Sequence, residues 1–251
     1  RKLLIHALSA ELSDHQKIKV TIILPEGRRL ALRTSNAAFG VVDGLSLLGT
    51  SGIAQPLSAP GQLAAYREDL RQKSKQHKNL VFCLGENGLD LALKLGIESE
   101  RRLKTANWIG PLLAEAGELG ITTILQFGYL GKLIKQAGGI FHTHHHVADG
   151  RLQEIMAAYC ARAGLPTEIV QKILASSTTE AALDVIRALD LARSEGWVAR
   201  VYGILAARID ERSRAYIQTH TEQTVKVGSI LFDRQRQIIV KSEAGQALLN
   251  A

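Results

Sequence analysis

Between residues 79 and 151, short apolar runs alternate with stretches whose apolar side chains recur at helical spacing, and this rhythm constrains the fold more than any other feature. Residues 79–84 read as a strand and Gly85-Glu86-Asn87-Gly88 as a turn, after which Leu89, Leu91, Ala92 and Leu95 give a helix its apolar face. Residues 103–106 form a second, short strand. Trp108, Ile109, Leu112, Leu113 and Ala116 then mark an amphipathic helix. A third strand, 121–127, opens into a glycine turn and a short helix carrying Leu130, Leu133, Ile134 and Ala137. Strands that alternate with helices predict a mostly parallel, Rossmann-like α/β sheet with flanking helices. Its core should contain Val81, Cys83, Leu84, Ile124, Leu125 and Phe127.

The flanks read differently. Residues 17–24 resemble a strand, Pro25-Glu26-Gly27 a turn and 28–33 an antiparallel partner. These look like the end of an α+β domain. We therefore expect two domains: 1–60, the C-terminal remnant of an N-terminal α+β domain plus linker, and 61–251, the α/β domain with a helical C-terminal part. The chain opens at Arg1, which reads as the loss of a natural N-terminus. A polar helix follows the linker at 62–75. Beyond Asp149, Leu152, Ile155, Met156, Tyr159 and Cys160 make one helical stripe, and Pro166 suits the first turn of the next helix. Ser177-Thr178-Thr179-Glu180 has capping-box spacing, and Trp197, Val201, Ile204 and Leu205 support a longer helix. Residues 225–233 and 237–240 read as a final hairpin.

The most chemically loaded segment is the loop after the third strand. Four histidines, His142, His144, His145 and His146, fall within five residues, followed by Asp149-Gly150-Arg151. Imidazoles so clustered offer titratable or metal-binding nitrogens. His-x-His spacing is compatible with a zinc hydrolase, but only Asp149 and His220 offer themselves to complete a shell, and no protein-bound metal is expected. Asp149 also suits the N-cap of the helix starting near Arg151. Gly85-Glu86-Asn87-Gly88 and Gly128-Tyr129-Leu130-Gly131-Lys132 both sit at strand ends, where open α/β sheets bind ligands. Backbone N–H groups there could reach an anion, although a plain tight turn accounts for the same glycines. No Gly-x-Gly-x-x-Gly occurs, which argues against a dinucleotide. The second strand ends in Thr105-Ala106-Asn107 and offers Asn107, not a carboxylate, to a ribose.

Composition narrows the partners. Lys and Arg number 31 against 24 Asp and Glu, a net charge of +7, so an anionic partner or simple surface solubility is favoured. Aromatic residues make up only 5%, and no zinc-finger, RNP or helix-turn-helix signature is present, which excludes the common nucleic-acid binders. No apolar run approaches the roughly 20 residues that span a bilayer, and no signal-peptide pattern is present. Cys83 and Cys160 are the only cysteines; both are expected as buried thiols in a reducing compartment, the cytoplasm.

Read together, Gly-Tyr-Leu-Gly-Lys-Leu (128–133), His-Thr-His (142–144) and Val-Ala-Asp-Gly-Arg (147–151) resemble motifs of the cobalt-precorrin-5B C1-methyltransferase family of anaerobic cobalamin synthesis. Gly44-Leu45-Ser46-Leu47-Leu48-Gly49-Thr50-Ser51-Gly52-Ile53 is similar to that family's glycine-threonine motif, and weaker matches are Gly85-Glu86-Asn87-Gly88, Asn107-Trp108-Ile109-Gly110 and Leu231-Phe232-Asp233. The resemblance runs from about Lys17 to Asp233. It implies an enzyme that moves a methyl group from S-adenosyl-L-methionine, as co-substrate, to ring carbon C1 of cobalt-precorrin-5B, giving cobalt-precorrin-6A. Its implied partner is an anionic cobalt-tetrapyrrole, with cobalt carried by the substrate; nucleic acid and membrane are not expected, and a homo-oligomer stays open. Cofactor contacts would fall on Gly85, Glu86, Asn87, Gly88, Asn107, Gly128 and Gly131. Substrate contacts would fall on Thr50, Ser51, Lys132, Thr143 and Arg151, and catalytic roles on His142, His144 and Asp149. Lys132, Lys135 and Arg151 are expected to form a basic rim for the substrate carboxylates. The family usually carries His at Tyr129 and a small polar residue at His145, and it expects a longer N-terminal part with its own glycine-threonine motif.

Overall fold

The computed structural model describes residues 2–9, 12–13, 16–32, 43–45, 59–144, 147 and 152–250. It divides into two compact units, residues 1–57 and 58–251. Thr50, Ser51, His145, His146, Asp149, Gly150 and Arg151, named above as site candidates or neighbours, lie outside the described residues.

In the first unit, helix α1 (Lys2–Ser9) and short helix α2 (Gly27–Ala31) are defined. The expected strand at 17–24 and its antiparallel partner at 28–33 are not found. An apolar run becomes a strand only when a neighbour takes up its backbone N–H and C=O groups. Among the described residues no strand pairs with 17–24, and Ile18, Val20, Ile22 and Ile23 are exposed. Arg28, Arg29, Leu30 and Ala31 are helix formers instead, and the Leu30 N–H donates to the Glu26 carbonyl at 2.9 Å.

The second unit holds a five-stranded sheet in the order β2-β1-β3-β4-β5. Its strands are β1 (Asn79–Cys83), β2 (Arg102–Lys104), β3 (Thr123–Tyr129), β4 (Lys226–Phe232) and β5 (Ile238–Lys241). The first four run parallel and β5 pairs antiparallel with β4. Parallel strands are buried on both faces, and for that reason 80–84 and 124–127 read as nearly unbroken apolar runs. Leu80, Phe82, Ile124, Val227 and Leu231 face one core, shared with α3 (Ala59–Ser74), α5 (Ile109–Glu118), α6 (Leu130–Ala137) and α10 (Trp197–Thr221). Val81, Cys83, Leu125, Phe127, Ile230 and Phe232 face the other, covered by α4 (Glu86–Lys94) and α11 (Glu243–Leu249). The crossovers β1-α4-β2 and β2-α5-β3 travel in opposite directions across the sheet. Their helices lie on opposite faces, as a common crossover handedness requires. All six residues expected in the core are buried.

From α6 the chain makes a helical excursion, α7 (Leu152–Ala163), α8 (Thr167–Leu174), α9 (Thr179–Arg193) and α10, before returning as β4 beside β3. The cap of α9 is Thr178, whose hydroxyl accepts the Ala181 N–H at 3.1 Å, one residue later than the capping-box spacing suggests. The glycine turn expected after Phe127 is also displaced. Gly128 and Tyr129 remain in β3, opposite Leu231 and Phe232, and α6 starts at once. Pairing with β4 extends the strand past its apolar run. A Cβ on Gly128 would lie 2.5 Å from Leu133 Cγ, so the missing side chain is what lets α6 fold back over the strand end. Among the described residues, no helix is long and apolar enough to cross a membrane.

Candidate functional site

The chain leaves β1 outward to β2 and then returns across it to β3. The crevice of such a sheet lies at the carboxyl ends of β1 and β3, where the direction of winding reverses. Four strand ends furnish this edge.

At the end of β1 the Leu84 N–H donates to the Phe127 carbonyl at 2.8 Å, closing the two strands together. Gly85 then takes φ +110°, a conformation that side chains other than glycine rarely adopt. Above Gly85 a Cβ would meet only the Lys132 ammonium, 3.6 Å away. Lys132, on α6, therefore overhangs the β1 turn. At Gly88 a Cβ would come 2.9 Å from the Phe127 carbonyl oxygen, so glycine lets α4 begin against the sheet.

At the end of β2, Thr105 donates its N–H (3.0 Å) and hydroxyl (3.3 Å) to the Cys83 carbonyl, and Ala106 bends the chain with φ +48°. Lys104 forms an ion pair with Glu86 across the β1 and β2 ends. Asn107 follows, and it grips the histidine segment. Its main-chain carbonyl accepts the Thr143 N–H and its Oδ1 accepts the Thr143 hydroxyl, both at 3.1 Å. From the other side, the buried Lys135 ammonium donates to the Thr143 carbonyl at 3.1 Å. The Gly110 N–H bonds the Phe141 carbonyl at 2.9 Å. His142 is thereby held edge-on to Trp108 with ring centroids 4.6 Å apart, and His144 lies 6.5 Å from His142. The His142 Nδ1 is buried without a hydrogen-bond partner.

Burial, then repulsion from Lys104 and Lys135, lowers the Lys132 pKa below the ordinary lysine value. An anion over Gly85 would relieve that stress. Cys83 and Cys160, by contrast, are inert: burial raises both thiols to about 12.

Gly85, Glu86, Gly88, Asn107, Lys132, His142, Thr143 and His144 thus gather at the carboxyl edge. Others point elsewhere. Asn87 accepts from Arg236 at 3.4 Å beside the Arg236–Asp90 ion pair. Gly128 is buried in strand and Gly131 lies under the Tyr129 ring, so their glycine character serves packing. Lys135 does not belong to an exposed rim: its residue is 4% exposed, because α6 is enclosed by β3, α7, α9 and α10. His220 Nδ1 sits 2.8 Å from the Tyr216 carbonyl and its ring stacks on Tyr216. Among the described residues no three His, Cys, Asp or Glu side chains gather to hold a metal. Sequence reasoning missed Lys104 and Glu180 as members of this region and the buried setting of Lys135. The partners of Lys104, Lys135 and Glu180 lie 18, 8 and 54 residues away, at distances where no local spacing gives a signal.

Fold and site together define an α/β protein with an anion-accepting, histidine-bearing crevice at a sheet's switch point. Comparison with known proteins gives the family. Residues 142–243 match the CbiD C-terminal domain and residues 1–56 match CbiD. The chain is 62% identical to the cobalt-precorrin-5B C(1)-methyltransferase of Cyanothece sp., over 94% of this chain and 62% of that protein. It is 54% identical to that of Nostoc sp., over 99% and 68%, and 52% identical to that of Synechocystis sp., over 99% and 65%. The chain belongs to the CbiD family of cobalt-precorrin-5B C(1)-methyltransferases. It spans between 62% and 68% of the length of these curated relatives. No solved structure matches it.

Proposed function

We propose that this protein transfers the methyl group of S-adenosylmethionine to C1 of cobalt-precorrin-5B, with the transfer taking place over the carboxyl ends of β1 and β3. The carrying observation is the space above Gly85, where among the described residues only the Lys132 ammonium comes within 4 Å of an added Cβ, together with a histidine segment held at Thr143.

The residues fit the donor. Gly85 presents backbone where a side chain would intrude, and Lys132 supplies a cation for the donor's carboxylate. Glu86 and Asn107 supply oxygens for its hydroxyl and amino groups. When bound, the donor supplies a methyl already activated as a sulfonium. The protein's own part is placement. Asn107 and Lys135 fix Thr143, and so aim His142 and His144 along the edge. Holding two reactants in line accounts for about 7–11 kcal/mol of barrier. His142 and His144 bring imidazole nitrogens to this edge, the group type that can exchange a proton with a substrate.

The substrate carries cobalt and a ring of carboxylates, and with Lys132 given to the donor, the family resemblance supports Arg151 as a basic contact for it beside Thr143 and Asp149. The two buried free thiols suit a reducing compartment, and we place the reaction in the cytoplasm. The test is transfer of labelled methyl from S-adenosylmethionine to cobalt-precorrin-5B by the protein at its full natural length. Absence of transfer, with the donor analogue S-adenosylhomocysteine not bound, would end this reading.

A further inference from the structure

A second group of ionisable side chains meets at the same edge, at the carboxyl ends of β3 and β4. Tyr129 is the last residue of β3, and its ring is fixed by packing on Gly131, where a Cβ would lie 2.6 Å from Tyr129 Cε1 and 3.2 Å from the Thr179 hydroxyl. The phenol faces Thr179 and Glu180 at the start of α9, closely enough that Tyr129 and Glu180 perturb each other's ionisation. Glu180 is half-buried, and its Oε1 accepts the Arg234 N–H at 3.0 Å, just past β4. Asp233 beside it is buried and neutralised by Arg187 at 2.8 Å. Below, the Tyr202 hydroxyl of α10 is wholly buried without a hydrogen-bond partner.

We propose that Glu180, with the Tyr129 hydroxyl beside it, is the proton acceptor of the reaction at this edge. The assignment rests on the methyltransferase reading. In that reaction the S–CH3 bond breaks with its electron pair remaining on sulfur. A π-electron pair of the macrocycle forms the new C–CH3 bond. The positive charge of the sulfonium thus passes to the ring and is discharged when a ring proton leaves. A base must take it, and Glu180 is a carboxylate at the ligand edge not consumed by an ion pair with Lys or Arg in the structure. Among the described residues, the neighbouring carboxylates Glu86 and Asp233 are tied to Lys104 and Arg187.

The surroundings make this carboxylate a stronger base than an exposed glutamate. Burial, the largest influence, raises the Glu180 pKa; the Arg234 N–H and the Tyr129 hydroxyl pull it down, and Asp233 and Asp184 push it up. Arg187 and Tyr202 complete the ionisable groups around it. Tyr129, whose phenol is itself raised chiefly by burial, stays protonated and can donate to whichever oxygen carries charge.

The experiment uses the protein at full natural length. Glu180→Gln keeps an oxygen for the Arg234 N–H and removes the base. Single-turnover methyl transfer should fall about 10²–10⁴-fold, while calorimetric affinity for S-adenosylhomocysteine stays within about twofold of wild type. Independently of activity, infrared titration of the wild type should show a carboxyl band absent from E180Q, with a midpoint above the ordinary glutamate value. Tyr129→Phe should move that midpoint upward, since it removes a hydroxyl that favours the carboxylate. The wild-type transfer rate should drop about tenfold per pH unit below the same midpoint. An E180Q variant that methylates as fast as wild type overturns this assignment alone, as does a midpoint unmoved in Y129F. A wild type that transfers no methyl group overturns the methyltransferase reading and the assignment with it.

Discussion

The Lys135 ammonium donates to the main-chain carbonyl of Thr143 at 3.1 Å, deep enough that both residues are only 4% exposed. A charged side chain is thus spent on holding one peptide of the histidine segment, with Asn107 holding the same residue from the β2 side. Lys135→Met should therefore destabilise the fold by about 1–3 kcal/mol, the cost of a buried carbonyl left without its donor. Denaturant titration measures it. Methyl transfer should fall further than donor affinity, because the residues released are His142 and His144.

Glycines at two helical positions should respond oppositely to alanine. At Gly88 a Cβ would press within 2.9 Å of the Phe127 carbonyl, so Gly88→Ala should cost about 1–3 kcal/mol. At Gly203, inside α10, nothing lies within 4 Å, and Gly203→Ala should stabilise by about 0.5–1 kcal/mol. Thermal melts of the two variants give the signs directly.

The sheet was legible because parallel strands are apolar on both faces, and residues such as Val81 and Phe82 leave no alternation to misread. Residues 17–24 have the same composition but lack a described partner, and composition cannot supply one. Lys135 reads as solvated because lysine normally is; only the crowding of α6 by α7, α9 and α10 reverses that. α11 escaped notice because its short sequence includes Gly245, whose value lies in close approach to β4: a Cβ there would lie 2.5 Å from the Ser229 carbonyl oxygen. Of the site, the Gly85 turn and the histidines could be read locally, whereas Gly128 reads as a turn and lies in β3. Tyr129 with Glu180, and Glu86 with Lys104, could not, because each pair is assembled by the sheet.

Stability should depend on pH through Asp210. Burial in α10 raises its carboxyl from 3.8 to about 6, offset in part by Ser242, Ser229 and Arg214. The folded state therefore holds a proton that the unfolded chain releases near 3.8. This contribution is fully present below the unfolded value and is lost as pH rises to about 6, on the order of 3 kcal/mol in all. Asp210→Asn should flatten the dependence. Guanidinium unfolding of both proteins between pH 4 and pH 7.5 checks it: the wild type should lose stability relative to the variant as pH rises.

Salt should separate the two ligands. The tetrapyrrole, a polyanion drawn to the chain's net positive charge, should bind much more weakly at high ionic strength, since screening shortens the reach of exposed charges. The donor, held at the half-buried Lys132, should change less. Equal salt slopes for both would leave the +7 charge with no role in substrate binding.

The claim that the crevice over Gly85 holds the methyl donor is tested most directly by calorimetric titration with S-adenosylhomocysteine, comparing wild type with Lys132→Ala. The account predicts saturable binding of one molecule per chain, weakened about 10–100-fold in the variant by loss of a charge-assisted hydrogen bond. No saturable binding to the wild type, or equal affinity in a folded Lys132→Ala protein, would contradict it.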